Sequence, residues 1–469
     1  MKSILHSQTP AYIVLIFLLA GMTTDASLAG QVGSKSDETQ QTALNKARAI
    51  FSSQQEKRRE ALGWMKQRDK PDVVAALIYA LRYIRDDRKG IAQTLHSITG
   101  EDNGDDWFKW KLWLEAHPEI KPFKDFDQFL TRLFYSIDPS FKNFVYPDVK
   151  HTIRLEEITW GGVSKDGIPA LTNPKLISAA KADYLNKEEP VFGIEINGDV
   201  RAYPYRIMDW HEMFNDVIGG KSVSLAYCTL CGSGILYETN VDGYKNPFIF
   251  GSSGLLYRSN KLMYDQRTLS LWNQFTGQPV TGKLVGSGIK LKILPVVTTT
   301  WVEWLSQHPD TKVLSLDTGF TRDYSPGRPY GRYFSSPDLM FPARTPDKRL
   351  QAKDKVFGLR ITGVEKAWPL GMFKGGRLIH DRIGEINIIL IGNTQRQTVR
   401  AYRSGGKSFK LEGNNTKQLF SDSYSWQVTE SALLGPDGQK LPRLPGHLAY
   451  WFAWRNYLSN TELSQPEGK

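Results

Sequence analysis

The sequence predicts an α+β protein: an all-helical N-terminal domain followed by a duplicated, mainly β body with short helices. Three observations carry this. Good helix formers at helical spacing dominate residues 38–146. Short alternating apolar segments, punctuated by Gly, Pro and Asn, dominate the remainder of the chain. Part of that β-rich stretch occurs twice.

The expected organisation runs in order. Residues 1–29 read as a signal peptide and 30–147 as the helical domain. Residues 148–315 form the first β-rich copy, 316–355 a connecting loop, and 356–460 a degenerate second copy. Residues 461–469 are expected to be a flexible tail. The chain has 469 residues, 40% of them apolar and 12% aromatic, ample for packed cores. Its net charge of +11 is spread, with Lys and Arg interleaved among Asp and Glu. That pattern describes a solvated basic surface, and no zinc-finger spacing, recognition helix or RNA-stacking motif accompanies it, so no nucleic-acid partner is expected.

At the N-terminus, Lys2 precedes the apolar run AYIVLIFLLAGM, and Ser27 and Ala29 stand where an export peptidase reads. The run is short for a membrane span. Cleavage would leave an exported chain, expected in the bacterial periplasm, with no later transmembrane segment. An oxidising compartment permits a resting disulfide.

In the helical part, PDVVAALIYALRYI opens with Pro71 and carries Val74, Leu77, Ile78 and Leu81 on one face. KGIAQTLHSITG ends at Gly100, a C-terminal cap. Trp107, Trp110 and Trp113 recur at a spacing that suits a packed helix face. The stretch LHSITGEDNGDDWFKWKLWLEAHP resembles the end of a HEAT-type helical repeat.

In the body, VFGIEINGDVRAYP from Val191 is answered by VFGLRITGVEKAWP from Val356, an offset of 165 residues. Shared residues include Gly193/Gly358, Gly198/Gly363, Asp216/Asp381 and Gly219/Gly384. LPVVTTTWVEW (294–304) is answered by LPGHLAYWFAW (444–454) at an offset of 150. Residues kept in both copies are ascribed to folding: glycines to turns, apolar residues to strands. Each copy is expected to begin with short alternating strands, the first as a hairpin turning at Asn197-Gly198, followed by a short helix and further strands. The two copies are expected to pack as a pseudo-symmetric pair.

The only cysteines are Cys228 and Cys231, in SLAYCTLCGSGILYE. Gly232 and a strand-like ILYE come directly after, so the pair sits in a tight knuckle rather than at a helix start. Knuckle N–H groups facing the first sulfur favour thiolate, which is both a nucleophile and a metal ligand. At the 165 offset Cys228 falls opposite Asn393 and Cys231 opposite Arg396; His211 and Glu212 fall opposite Gly376 and Arg377. The fold persists without these groups, so their presence in the first copy points to a local task.

Three readings remain open at this stage. A dithiol–disulfide couple needs only the two sulfurs. A zinc site needs two further ligands, for which His211 and Asp265 are available, whereas copper(I) accepts two soft sulfurs alone. A plain disulfide closes a tiny loop and stabilises little. In MYDQRTLSLWNQ, Asp265 is a candidate to orient His211 and Arg267 to lower a thiol pKa, with Trp272 and Gln274 nearby. The structural alternative is that Asp265 caps a turn and Trp272 is core; the related SDSYSWQVTE, with Asp422 and Trp426, favours it.

YCTLCGSG, GSSGLLYRSNKLMYDQRTLSLWNQFTGQPVTG and TTTWVEWLSQHPDTKVLSLDTGFTRDY resemble the bacterial domain of unknown function catalogued as number 3179. The resemblance covers roughly residues 156–458. That family commonly has Pro after the first cysteine, where this chain has Thr229. Some of its members carry the selenoprotein label; at the Cys228 or Cys231 position, that label implies redox work.

The functional expectation is thiol–disulfide chemistry, with Cys228 attacking and Cys231 resolving, on an unidentified redox or protein partner. It requires a reachable, ionised sulfur. The alternatives are a copper or zinc carrier, with Cys228, Cys231 and His211 as ligands, or a periplasmic scaffold with a structural disulfide.

Overall fold

A computed structural model describes residues 35–465, apart from Asp69 and residues 413–414. The signal-peptide reading lies outside the described residues, as do the last four residues of the expected tail, whose start carries the short strand Glu462–Leu463. The chain forms two compact units, one reaching to Trp107 and including Glu119–Phe129, the other Phe108–Pro118 with everything from Leu130 onward. Among the described residues, no helix is long and apolar enough to cross a membrane.

The first unit is helical: Lys35–Ala49, Gln55–Gln67, Val74–Tyr83 and Arg88–Thr99. Pro71 opens a 3-10 turn that leads into Val74–Tyr83. That helix is buried along all of Val74–Leu81, not on one face, because its sequence is apolar around the whole cylinder. Arg88–Thr99 stops at Gly100, whose φ of 77° lets its N–H bond the His96 carbonyl. In the second unit, Trp110 is buried and Trp113 stacks on His117 at 4.1 Å, so these rings are packing.

The β body repeats strand for strand. Pro190–Ile196 and Asp199–Pro204 form the first hairpin; Lys355–Ile361 and Val364–Pro369 form its counterpart, near the 165 offset throughout. Lys221–Cys228 and Ser233–Glu238 correspond to Ile386–Asn393 and Thr398–Arg403. Val297–Thr300 with helix Trp301–Gln307 corresponds to His447–Tyr450 with helix Trp451–Tyr457 at the 150 offset. Each copy also carries a meander. In the first copy it is Phe250–Tyr257, Asn260–Asp265, Leu271–Asn273 and Gln278–Thr281; in the second it lies within Lys410–Leu434. The copies contact reciprocally: His447–Tyr450 lies against Ser233–Glu238, and Val297–Thr300 against Thr398–Arg403.

The repeated glycines divide into two kinds. Gly198 and Gly363 are turn residues, with φ of 82° and 83°. Gly193 and Gly358 lie mid-strand, contrary to the turn expectation. A Cβ there would stand 2.3 Å from the Trp304 ring and 2.1 Å from the Trp454 ring respectively. Each indole is held from behind: Trp304 Nε1 donates to Thr311 Oγ1 at 3.0 Å, and Trp454 Nε1 to Thr461 Oγ1 at 2.8 Å. The repeated aspartate is likewise an anchor, half-buried in both copies. Asp216 accepts from Tyr203 and Arg201; Asp381 accepts from Trp368 and Lys366.

Gly193→Ala and Gly358→Ala are expected to destabilise the body by about 1–3 kcal/mol each, the usual cost of overpacking. Chemical denaturation measures this, with Gly331→Ala, which meets no neighbour within 4 Å, as the near-neutral control.

Candidate functional site

Strand Lys221–Cys228 delivers the first cysteine at its last residue. A single 3-10 turn, Thr229–Cys231, delivers the second, and Gly232 reverses the chain in the left-handed region before strand Ser233–Glu238 begins. Gly232 N–H closes the turn on the Thr229 carbonyl at 3.2 Å. Both cysteines are free thiols, and their sulfurs are 2.9 Å apart, Cys228 donating to Cys231. The expected disulfide is therefore not formed in this state.

The two thiols are 1% and 0% exposed, packed in the same apolar cluster as Met263, Trp272 and Tyr450. This departs from the expected reachable sulfur. Tertiary packing explains it, because three covers close over the knuckle. The Tyr450 ring of the second copy lies over Gly232, where a Cβ would stand 3.1 Å from it. Tyr333, from the connecting loop, donates to the Leu230 carbonyl at 2.6 Å. Tyr330, from the same loop, donates to Glu212 Oε1 at 3.2 Å.

The donors at sulfur also differ from the expectation. Besides Cys228, the side-chain donor at sulfur among the described residues is Asn260 Nδ2, 3.2 Å from Cys231 Sγ, and Cys231 in turn donates to the Ser259 carbonyl at 3.5 Å. The expected convergence of knuckle N–H groups on Cys228 is replaced by this contact at the second sulfur, since the Gly232 N–H is spent on closing the turn. Burial, and the charge that Cys228 carries when ionised, push the Cys231 thiol well above its ordinary range.

Asn260 arrives by a two-residue turn, Arg258–Ser259, with both φ positive, between the first two strands of the meander. Gln274 fixes it. Asn260 Nδ2 donates to Gln274 Oε1 at 2.8 Å, and Gln274 Nε2 donates to the Ala226 carbonyl at 2.8 Å and the Ser233 carbonyl at 3.2 Å. Gln274 thus ties the meander to both strands flanking the knuckle. Ser259 Oγ and Asn260 Oδ1 remain buried without a partner.

Glu212 also joins the site. Helix Tyr205–His211 ends with Glu212 in the left-handed region, and the Glu212 carbonyl accepts the Tyr227 N–H at 2.8 Å. Its carboxylate accepts the Thr229 hydroxyl at 2.9 Å and pairs with Lys261 Nζ at 3.0 Å. Nearby Asp209 accepts the Tyr227 hydroxyl at 3.0 Å. Burial, reinforced by Glu212, pushes the Asp209 carboxyl up to about 8 against that hydrogen bond.

The other predicted residues lie elsewhere. His211 Nδ1 donates to the Pro169 carbonyl at 2.9 Å, which leaves Nε2 to accept from Tyr324 at 2.7 Å. Burial holds this ring below its usual range, and it braces the connecting loop. It is not a ligand beside the sulfurs. Asp265 accepts from Thr268 N at 2.6 Å and from Trp272 Nε1 at 2.9 Å, so it caps a turn and anchors a core indole rather than orienting His211. Arg267 is exposed, donates to the Asn246 carbonyl, and covers the Tyr244 and Phe248 rings. Its packing away from the knuckle removes it as the thiol-tuning cation. Among the described residues, no group of three or more His, Cys, Asp or Glu could hold a metal ion. Tetrahedral zinc with about 2.3 Å bonds holds two sulfurs about 3.8 Å apart, wider than this pair.

Sequence reasoning missed Asn260, Lys261, Tyr330, Tyr333 and Tyr450. They come from a β-turn, the connecting loop and the other copy, and no local spacing links them to the cysteines. The reciprocal packing of the two copies would have suggested Tyr450.

Asp209 gains a proton on folding between its ordinary value of 3.8 and about 8, so stability is expected to fall as pH rises through that window. Asp209→Asn should flatten this fall in denaturation series between acid and mildly alkaline pH.

Comparison with known families gives one match. A family model described as "Protein of unknown function (DUF3179)" matches residues 165–461. No curated protein matches. No solved structure matches. The match spans more than half of the chain, which belongs to that family.

Proposed function

We propose that this member of the family is a dithiol–disulfide protein whose reacting groups are Cys228 and Cys231. One observation carries the reading: two free thiols 2.9 Å apart within one turn. Closing them to a disulfide, about 2.05 Å, takes less than about 1 Å of movement. In the reaction proposed, the Cys228 thiolate attacks one sulfur of a small disulfide, and the first thiolate leaves. Cys231 then gives up its proton and attacks the Cys228 sulfur of the mixed disulfide, releasing the second thiolate. The two departing thiolates take the two protons. Burial that keeps the Cys231 thiol protonated supports this order.

The burial also sets a condition. The Tyr330–Tyr333 segment covers the knuckle through two hydroxyl bonds and must lift before a reagent can touch sulfur. The reading of the N-terminal run as an export signal places this chemistry in an oxidising compartment, and it stands as part of the same proposal.

Thiol counting by mass spectrometry after equilibration with oxidised and reduced glutathione tests the couple. A reversible loss of two hydrogens in the wild type is expected, with a glutathione adduct trapped on Cys228 in the Cys231→Ser variant. A pair that stays reduced at every ratio, or stoichiometric metal that is lost on Cys228→Ser, would overturn the assignment. Tyr330→Phe/Tyr333→Phe removes two hydrogen bonds of about 1 kcal/mol each. It should speed alkylation of the native thiols by on the order of five- to thirty-fold in stopped-flow labelling.

A further inference from the structure

The duplication contains its own control for the cover over the thiols. A second knuckle exists: Gln397 N–H bonds the Thr394 carbonyl at 3.2 Å, the same distance as Gly232 N–H to Thr229, and Gln397 has φ of 51° where Gly232 has 57°. Asn393, half-buried, and Arg396, exposed, take the cysteine places. The residues matching Tyr450 and Tyr457, 150 positions earlier, are the smaller Thr300 and Gln307, and a cleft of about 830 Å³ lies beside this turn. The knuckle that holds no thiol is thus left open.

A second repeated feature shows what holds the cover. The chain just before each leading hairpin is stapled to the helix that closes the same copy. In the first copy the Lys187 and Glu189 carbonyls accept from Val302 N–H at 2.9 Å and Trp301 N–H at 2.8 Å. In the second the Ala352 and Asp354 carbonyls accept from Phe452 N–H at 2.9 Å and Trp451 N–H at 2.8 Å, at the same offsets of 165 and 150. The residue between the two carbonyls is Glu188 in one copy and Lys353 in the other. Glu188 is exposed, so the staple does not depend on that side chain. Lys353 is half-buried and turned onto the cover.

We propose that Lys353 is the positioning residue that holds the cover shut over Cys228 and Cys231; its purpose rests on the thiol reading above. Lys353 Nζ donates to the Tyr333 carbonyl and, at 2.6 Å, to the Ser336 carbonyl, both at the end of helix Gly331–Ser335. The ammonium also lies 3.7 Å from the centre of the Tyr333 ring and 5.4 Å from that of Tyr450. It therefore joins the two aromatic groups that close over the knuckle. Its backbone is fixed to the second copy by the carbonyls on either side of it, whereas Tyr330 and Tyr333 tie the cover to the first copy. Hydrogen bonds from a charged donor are stronger than those between neutral groups, and the cation–ring contact adds to them. Lifting the cover breaks the lysine bonds together with the tyrosine bonds, so Lys353 governs how often a reagent reaches sulfur. The second copy, which has no cysteines, acts in this way as the clamp for the thiols of the first.

Iodoacetamide labelling of the native thiols in the full chain, read by mass spectrometry alongside hydrogen exchange of its peptides, tests this. Lys353→Met should speed labelling about ten- to a hundred-fold, the factor expected on losing two hydrogen bonds from a charged group. Lys353→Gln, which should speed it in the same direction, serves if the Met variant does not fold. Lys353→Arg keeps the charge and the donors and should restore most of the protection. Glu188→Met, at the matching place in the other copy, should label as the wild type does. Exchange in Lys353→Met should quicken in the peptide spanning 327–336 and stay unchanged in the strand spanning 221–228. Labelling consumes no oxidant, so a pair that never forms a disulfide sinks the redox reading and leaves this result standing. Unchanged labelling in the Met and Gln variants, no protection regained in Lys353→Arg, or exchange that quickens equally in both peptides overturns the inference.

Discussion

The body rests on the contact of an indole face with a bare glycine backbone, made once in each copy. Trp304 occupies the space over Gly193, and Trp454 the space over Gly358, at distances no β-carbon tolerates. The contact joins the leading hairpin to the helix that closes the copy more than a hundred residues later in the first case. Fixing the helix fixes the strand before it, Val297–Thr300 in one copy and His447–Tyr450 in the other, which pairs with that same hairpin. The reciprocal packing of the copies results, because those strands are the ones that lie against the partner copy. Removing the glycine would displace the element by which each copy reaches the other.

The environment of the cysteines depends on that arrangement. The knuckle is formed by local sequence: a strand end, one 3-10 turn and a left-handed glycine. Its cover is formed by distant parts of the chain. Once Tyr450 and the connecting loop are in place, the sulfurs lie in a low-dielectric interior, where a charged thiolate is costly and a neutral dithiol is not. The polar groups that enter with them are paired in part: Lys261 with Glu212, Thr229 with Glu212, and the Asn260 amide nitrogen with Gln274, while Asn260 Oδ1 and Ser259 Oγ have no partner. The proposed chemistry is therefore coupled to movement of the connecting loop.

The two knuckles show how one backbone can serve two environments. Both turns close with the same hydrogen bond and a residue in the same left-handed conformation. One is sealed by tyrosines and holds thiols; the other faces a polar cleft because the opposing residues are smaller. The change lies in side-chain volume and polarity on the neighbouring copy as much as in the turn itself.

The sequence by itself determined the fold class, the repeat and its offsets, the position of the cysteine turn and the family. These depend on local propensity, alternation and self-similarity, all of which act along the chain. It placed Gln274 and Glu212 near the pair: Glu212 bonds the turn through Thr229, and Gln274 bonds the strands on either side of it. It could not separate a mid-strand glycine from a turn glycine, since both read as Gly and only the approach of an indole tells them apart. It placed Arg267 and His211 beside the sulfurs by nearness in sequence, whereas a strand reversal and a loop contact carry them elsewhere. Only the tertiary structure decided that the thiols are buried, that Asn260 and three tyrosines surround them, and that the second knuckle opens onto a cleft. Each of those outcomes depends on which residues meet across long separations in the chain, and packing, not local sequence, selects those neighbours.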